Sequence, residues 1–484
     1  MKNGVMIQYF EWNMPNDGQL WNQLAEDASH LAEQGFTSVW IPPAYKADEQ
    51  QDEGYATYDL YDFGEFDQKG SIRTKYGTRA ELENAVAALH EAGLQVLLDT
   101  VLNHKAGGDY AERFEAVEVD PDDRNTEIGT PREIEAMTGY SFEGRGDKYS
   151  SYKWHWYDFS GVDYDAVTGS NAIFRIIGEG KGWSQGVDTE NGNYDYLLAN
   201  DIDLDRPEVA AELEYWGHWA VNEFGFDGFR MDAVKHMDYN FIRKFIDSVR
   251  HTTGRDLYAV GEYWSGDIEA LLEFATNTGE TLDLFDAPLH YNFHAASTQG
   301  NTFDMSTLLH GTLVERKPGL AVTLVENHDS QPGSSLESNV EDWFKPLAYG
   351  LILLMKEGYP VVFYGDYYST GRVASPHRKI IDILIDARRN YAYGDQELYF
   401  DHPSCVGLVR KGEEAHPGSG LVLLMSNDCD GTKKMSLGET HAGEIWHEIT
   451  GCVNHEVTLD EHGSAEFTVP GCNLAVWVMR PSEQ

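Results

Sequence analysis

Residues 225–236 read GFDGFRMDAVKH, an apolar and glycine-rich stretch interrupted by charged residues. Phe226, Phe229 and Met231 are typical of a buried strand. Arg230 and Asp232 lie two positions apart, so both project to the same side of that strand. The stretch therefore predicts a core strand that ends in a pair of opposite charges.

Seven further runs of β-branched and aromatic residues end in polar or glycine-rich residues. Stretches with helical periodicity separate most of them, and the one at 207–225 has proline near its first turn and glycine after its end. Eight strands alternating with helices predict an α/β fold, a parallel (β/α)₈ TIM barrel covered by helices. Together with the first stretch, the eight runs are VMIQYF from residue 5, TSVWI from 37, QVLLDTV from 95, FDGFRMDA from 226, LYAVGEYW from 257, LDLFDAP from 282, AVTLVENHD from 321 and PVVFYGD from 360.

Two regions interrupt or follow this alternation. Residues 104–205, between the third and fourth strands, are rich in Gly, Asp and aromatic residues, and a connection of that length predicts a small inserted domain. Residues 395–484 contain short alternating segments separated by turn residues, which predicts a C-terminal antiparallel β-sandwich. The barrel itself is expected to comprise residues 1–103 and 206–394.

The formal net charge of -45 disfavours nucleic acid or an anionic membrane as a partner and suits a neutral substrate. Solubility in salt is the plainer explanation of that charge. The longest apolar run, at 346–355, is too short to span a bilayer, and the first residues lack an apolar signal region. A cytoplasmic monomer is expected, unless a leader was removed. The four cysteines favour free thiols, although disulfides remain an alternative.

Carboxylates follow several of the predicted strands, and in a TIM barrel the carboxyl ends of the strands form the active face. Asp232 and Glu262 end neighbouring strands, so their carboxyl groups should lie about 5 Å apart, the separation of retaining glycoside hydrolases. Arg230 would keep Asp232 ionised, whereas like charge and burial would raise the pKa of Glu262. An ion pair at a strand end explains any one of these residues equally well, but the whole set favours a functional site.

Four motifs carry a family resemblance: DTVLNH at 99–104, GFRMDAVKH at 228–236, GEYW at 261–264 and VENHD at 325–329. In this order they resemble the signature regions of the α-amylase family of glycoside hydrolases. Other segments, including QYFEW, WIPPAYK and ENGNYDYL, are similar to bacterial liquefying α-amylases and their cytoplasmic relatives. The resemblance implies Asp232 as nucleophile, Glu262 as general acid and base, and Asp329 as the carboxylate that stabilises the transition state. It implies sugar contacts by Tyr55, His104, Arg230, Lys235, His236 and His328.

The resemblance also implies a calcium site between the insert and the barrel, with Asn103, Asp195, Asp201 and the carbonyl oxygen of His236 as ligands. Oxygen donors of this kind suit a hard cation, although a solvated acidic loop is the plainer alternative. Relatives with a calcium–sodium–calcium cluster use two further aspartates, and this chain has Ser160 and Ser184 at the matching positions, while Asp203 and Asp205 remain. One calcium ion is therefore expected, and additional sites are not.

Three functions compete on these observations. An endo-acting α-amylase would hydrolyse internal α-1,4 bonds of starch, glycogen or maltodextrins with retention of configuration. A glucanotransferase or an α-1,6-acting relative would use the same three carboxylates. A non-catalytic carbohydrate-binding protein on the same barrel is a remote alternative, because such proteins usually lose a catalytic acid and this chain keeps all three.

Overall fold

The computed structural model describes residues 3–371 and 373–480. Eight parallel strands close into a barrel in chain order, with the last strand paired to the first, so the predicted (β/α)₈ barrel is confirmed. Each strand is shorter than the run that predicted it. The strands are β1 Met6–Gln8, β2 Ser38–Ile41, β3 Gln95–Thr100, β4 Gly228–Met231, β5 Tyr258–Gly261, β6 Asp283–Phe285, β7 Ala321–Leu324 and β8 Tyr359–Phe363.

Amphipathic helices cover the barrel. The helix after residue 206 begins with Pro207, ends before Gly225 at a φ of 79°, and buries Leu213 and Trp216; this is the start and stop chemistry that helices favour. Thr78 and Glu81 form a capping box at another helix. The α-helices are Leu20–Gln34, Arg79–Glu91, Pro207–Phe224, Tyr239–Thr253, Ile268–Asn277, Ala287–Gln299, Leu313–Arg316, Lys345–Leu354, Tyr364–Tyr367 and Arg378–Asn390. Among the described residues, none of the helices has the length and apolar character needed to cross a bilayer.

Between β3 and β4 the chain forms a six-stranded antiparallel sheet. Its first strand follows β3 almost directly and pairs with its last, so the sheet begins and ends beside the barrel mouth. The strands are His104–Lys105, Tyr110–Val119, Glu127–Gly139, Phe159–Asp165, Ser170–Ile176 and Asn200–Ile202. Two short pairs stand outside the larger sheets: Lys46–Ala47 with Thr57–Asp59, and Ser369–Thr370 with Val373–Ala374.

The C-terminal region consists of a six-stranded and a two-stranded antiparallel sheet, as predicted for this part of the chain. The buried side chains between them include Trp446, Phe467 and Trp477. All four cysteines are free, and two of them are exposed. The strands are Gln396–Tyr399, Cys405–Arg410, Leu421–Ser426, Gly431–Ser436, Ile445–Glu448, Glu456–Thr458, Ser464–Val469 and Asn473–Met479.

Candidate active site

Asp232 and Glu262 leave adjacent strands at the same height. In the register of β4 with β5, Met231 pairs with Gly261. Asp232 and Glu262 are the residues that directly follow this pair. Ala233 then turns the chain with a φ of 50°, a left-handed conformation that is uncommon outside glycine. Its N–H donates to Glu262 Oε2 at 3.1 Å. The tight turn thus joins the two acids through the backbone.

The guanidinium of Arg230 connects three carboxylates at the barrel mouth. Its Nη1 donates to Asp99 Oδ1 at 2.9 Å and to Asp232 Oδ1 at 2.6 Å, and its Nη2 lies 3.1 Å from Glu262 Oε2. The side chain is fully buried. Burial works against its charge, but Asp99 and Glu262 hold the pKa of Arg230 well above its ordinary value. These four residues and Asp329 are called the mouth cluster below.

Burial raises the pKa of Glu262 to about 8. Arg230 opposes this shift, while the nearby carboxylates of Asp232 and Asp329 add to it. Burial also raises the pKa of Asp329, again against the effect of Arg230. At neutral pH Glu262 therefore carries a proton, which is the state required of a general acid. Desolvation contributes more to this shift than the neighbouring charges do.

Asp99 supports the cluster from below. It accepts hydrogen bonds from Trp40 Nε1 and from the Tyr55 hydroxyl, both at 2.9 Å. Burial raises its pKa to about 7, although Arg230 opposes the shift. Because Asp99 binds both Tyr55 and Arg230, the orientation of the guanidinium is linked to that of the tyrosine ring.

Three nearly parallel rings lie beside the acids. Tyr55 and His328 stack with centroids 5.1 Å apart, and Trp12 lies 5.9 Å from His328 at an interplanar angle of 14°. Gln8 Nε2 donates to His328 Nδ1 at 3.0 Å, which leaves Nε2 of the histidine 3.3 Å from Asp329 Oδ2. The stack therefore extends from a half-buried tryptophan to the third carboxylate.

Three other residues expected to contact sugar are already engaged within the protein. His104 Nε2 donates to the Tyr55 carbonyl oxygen at 2.9 Å, and His236 Nδ1 donates to the Tyr194 carbonyl oxygen at 2.8 Å. Lys235 forms an ion pair with Glu190. Trp12 was not identified from the sequence, although it lies within the QYFEW segment that carried the resemblance.

The residues expected to bind calcium lie where the insert meets the barrel. The N–H of Ile202 donates to the Asn103 carbonyl oxygen at 2.9 Å, which places Asp201 beside Asn103. The His236 ring binds the residue that precedes Asp195. Asn103 Nδ2 is buried and has no hydrogen-bond partner among the described residues.

The carboxylates at this junction are buried close to one another. Burial raises the pKa of Asp195 to about 8, and Asp203 and Asp205 add to the effect. The pKa of Asp201 is raised well above its usual value by burial and then by Asp195. Asp195, Asp201 and Asp203 are called the junction cluster below; Asp205 is exposed.

A cation would relieve this buried negative charge. Within residues 3–371 and 373–480, no group of three or more His, Cys, Asp or Glu side chains is arranged to hold a metal. Asp195, Asp201, the amide oxygen of Asn103 and the His236 carbonyl would nevertheless offer only oxygen donors, the kind that suits calcium. The residues present thus fit one calcium ion that depends on uncharged oxygens.

The two serines at the positions of the expected aspartates hydrogen-bond to the junction cluster. Ser160 Oγ donates to Asp201 Oδ2. The backbone N–H of Ser184 donates to Asp195 Oδ2 at 2.8 Å, and its hydroxyl lies 3.4 Å from Asp238 Oδ2. At these positions the chain provides hydrogen-bond donors where further acids would have added negative charge.

A closed parallel barrel with an arginine-linked carboxylate pair at the ends of adjacent strands defines the chain as a glycoside hydrolase of the TIM-barrel class. Residues 13–383 match the family model of the α-amylase catalytic domain. The chain belongs to the α-amylase family.

Relatives extend this similarity over nearly the whole chain. A glucan 1,4-α-maltohexaosidase of Bacillus sp. strain 707 is 50% identical over 98% of this chain and 92% of its own length. The α-amylase of Bacillus licheniformis is also 50% identical, over 99% of this chain and 94% of its own. The cytoplasmic α-amylase of Escherichia coli K12 is 42% identical over 99% of both chains. The crystal structure of an Anoxybacillus α-amylase shares the fold, with a TM-score of 0.67 and 17% identity over 100% of this chain and 99% of that one.

Proposed function

We propose that the chain is an endo-acting α-amylase that hydrolyses internal α-1,4-glucosidic bonds of starch, glycogen or maltodextrins with retention of configuration. The observation that carries the proposal is the pair of carboxylates, Asp232 and Glu262, that share one buried guanidinium at the ends of adjacent strands. The substrate class is supported by the relatives named α-amylase, to which the chain is 50% identical.

In the first step, Asp232 attacks the anomeric carbon and forms a covalent glycosyl ester. Glu262 gives its proton to the glycosidic oxygen, so that the shortened glucan leaves as a neutral alcohol. Arg230 supports the attack because its Nη1 donates to Asp232 Oδ1 at 2.6 Å and holds the carboxylate in position.

In the second step, the ionised Glu262 takes a proton from water as that water attacks the same carbon from the opposite face. Asp232 is released as a carboxylate, and the product keeps the original configuration. Asp329 lies beside the His328 imidazole, and both would hydrogen-bond to hydroxyl groups of the distorted sugar ring. Two inversions at one carbon account for the net retention.

The substrate channel is proposed to start at the ring stack. Tyr55 would pack against the apolar face of the sugar at the cleavage point, with His104 and Arg230 around it. Lys235 and His236 would border the next sugar units, and the pairing of Lys235 with Glu190 would hold the lysine in place. Trp12, which is half-buried and lies 6.0 Å from Tyr55 and 5.9 Å from His328, would extend the apolar wall.

A single calcium ion is proposed at the junction cluster, held by Asn103, Asp195, Asp201 and the His236 carbonyl oxygen. Bound there, it would neutralise buried carboxylates and join the inserted sheet to the end of β4. Because His236 lies four residues after Asp232, this ion would stabilise the loop that follows the nucleophile. It takes no part in proton or glycosyl transfer.

The proposed location is the cytoplasm, where glycogen and imported dextrins would be the substrates. It is supported by the 42% identity with a cytoplasmic α-amylase. Fractionation of the source cells with an antibody against the chain tests it, and recovery of the protein from the medium would contradict it.

Digestion of maltoheptaose, followed by proton NMR and product chromatography, tests the reaction. Newly formed reducing ends should appear first as the α-anomer, and a blocked non-reducing end should not prevent cleavage. Glu262→Gln should abolish product formation, whereas Glu397→Gln, the same change in an exposed ion pair with Lys411, should have no effect. Initial release of the β-anomer would refute the proposal, and products longer than the substrate would indicate a glucanotransferase.

A further inference from the structure

A buried lysine contacts the junction cluster from the side of the insert. The Lys181 side chain is only 3% exposed. Its ammonium donates to the Tyr157 carbonyl oxygen at 2.6 Å, to the Phe159 carbonyl oxygen at 2.9 Å and to Asp203 Oδ2 at 2.6 Å. An ammonium group has three hydrogens, so each of them has an oxygen partner.

These partners come from separate parts of the chain. Tyr157 and Phe159 flank the start of a strand in the inserted sheet, whereas Asp203 precedes the barrel helix that begins at Pro207. Lys181 belongs to the loop between them. One cation therefore fastens two segments of the insert to the return of the chain into the barrel.

The other charged groups around Lys181 do not neutralise Asp203. Asp158 carries opposite charge to Lys181, but it accepts from the Tyr152 hydroxyl and the His155 N–H at 3.0 Å and lies 3.5 Å from Arg206 Nε. Asp158 thus has its own partners. For Asp203 the ammonium is the cation in direct contact.

We propose that Lys181 is a built-in cation of the junction cluster, which takes the place of a second external metal ion beside Asp203. A carboxylate and two main-chain carbonyls are the oxygens that a calcium ion would use, but calcium requires six to eight such ligands at about 2.3–2.6 Å. The ammonium occupies all three oxygens. The chain would then bind one calcium ion, at Asp195 and Asp201, and would keep the Asp203 side of the junction closed without metal.

The test compares Lys181→Met with Lys148→Met. Methionine keeps the length of the side chain and removes the charge, while Lys148 belongs to an exposed ion pair with Glu65 in the same insert. Melting temperature by calorimetry is measured in excess EDTA and in excess calcium, and bound calcium is counted by equilibrium dialysis and mass spectrometry. Neither measurement depends on catalysis, so the result stands apart from the proposed reaction.

Wild type should bind one calcium ion. In EDTA, Lys181→Met should melt several degrees below wild type, Lys148→Met should match it, and calcium should recover a larger share of stability in Lys181→Met than in wild type. Two calcium ions bound by wild type would overturn the proposal, as would an unchanged melting temperature of Lys181→Met in EDTA. A wild type that binds none would contradict the calcium site proposed above, and the EDTA comparison would still decide the role of Lys181.

A second variant covers the case in which Lys181→Met does not fold. Lys181→Arg keeps the positive charge with a different shape, so it should fold and bind one calcium ion. If it lost as much stability in EDTA as removal of the charge does, or failed to fold, packing rather than charge would explain the position of Lys181, and the proposal would be wrong.

Discussion

The mouth cluster and the junction cluster both place buried carboxylates around an internal cation, but they treat the charge differently. At the mouth, one guanidinium is shared by three carboxylates, and Glu262 relieves the excess by keeping its proton. At the junction, Lys181 forms an ion pair with one carboxylate and donates its other hydrogen bonds to main-chain carbonyl oxygens. At the mouth, the carboxylates that share one cation lie next to the reacting atoms, whereas at the junction Asp203 has its own cation, and Asp195 and Asp201 are left for the proposed calcium ion.

Removal of a carboxylate should therefore have opposite consequences in the two clusters. Asp232→Asn should lower kcat by about 10⁴-fold or more, because the nucleophile is lost. Its free energy of unfolding should stay within about 1 kcal/mol of wild type, because Arg230 would still contact the other carboxylates of the mouth cluster. Steady-state kinetics on maltoheptaose and urea denaturation measure the two quantities.

Asp203→Asn is the matched control at the junction. It should lower the free energy of unfolding by about 3 kcal/mol, because Lys181 would remain buried without its carboxylate, while kcat of the folded enzyme stays near wild type. Equal losses of stability in the two variants would remove the distinction between the clusters.

The same distinction predicts how the enzyme responds to calcium. With calcium a thousandfold above its Kd, the ion should add about 4 kcal/mol to the free energy of unfolding, and Asp195→Asn should abolish that increment. Below its melting temperature the variant should keep most of the wild-type kcat. Denaturation at graded free calcium measures the increment.

Asp147→Asn provides the control for this experiment, because Asp147 is an exposed partner of Lys153 in the insert. It should leave the calcium increment unchanged. A calcium increment that survives in Asp195→Asn would place the ion elsewhere.

Whether a feature of these regions could be predicted from the sequence depends on the kind of contact that forms it. The eight barrel strands were predictable because each is a local apolar run, and parallel strands bring their carboxyl ends together. The hairpin of Tyr110–Val119 and Glu127–Gly139 was not, since each strand begins with exposed residues and carries many charges, and buried positions occur only in its later part.

The two internal cations also differ in this respect. Arg230 lies two residues from Asp232, so strand alternation alone indicates that the two side chains are neighbours. Lys181 meets Asp203 across 22 residues of irregular chain, where no periodicity relates the two positions. Contacts of that kind depend on tertiary folding. For the same reason, the three-ring stack of Trp12, Tyr55 and His328 could not be predicted from the sequence.

The proton on Glu262 predicts a basic limit to activity. Its raised pKa, about 8, keeps the acid protonated at lower pH, and the proton is lost as the pH rises through that value. The rate constant kcat/KM should then fall about tenfold per pH unit above pH 8, or about a hundredfold by pH 10. Initial rates with maltoheptaose between pH 5 and 10 measure the profile.

A variant at the junction provides a control in the same pH series. Lys181→Met should leave the basic limit of kcat/KM in place, because that limit belongs to the mouth cluster. A basic limit that moved with the lysine would mean that the two clusters are coupled, and an activity that stayed flat to pH 10 would exclude Glu262 as the proton donor.

The smallest effect should come from Tyr55→Phe, which removes one hydrogen bond of the mouth cluster and keeps the ring stack. Without the hydroxyl that donates to Asp99 Oδ2 at 2.9 Å, Asp99 would compete more strongly for Arg230, and the guanidinium would hold Asp232 less well. A net hydrogen bond of about 1 kcal/mol corresponds to a fall in kcat of five- to tenfold, with KM nearly unchanged because the ring remains.

Tyr58→Phe loses a similar bond, to Asp109 Oδ1 at 2.9 Å in the insert, and should leave kcat at the wild-type value. If both variants reduced kcat equally, the phenol of Tyr55 would matter only for folding, whereas a selective loss would show that Asp99 transmits the position of the ring to the nucleophile.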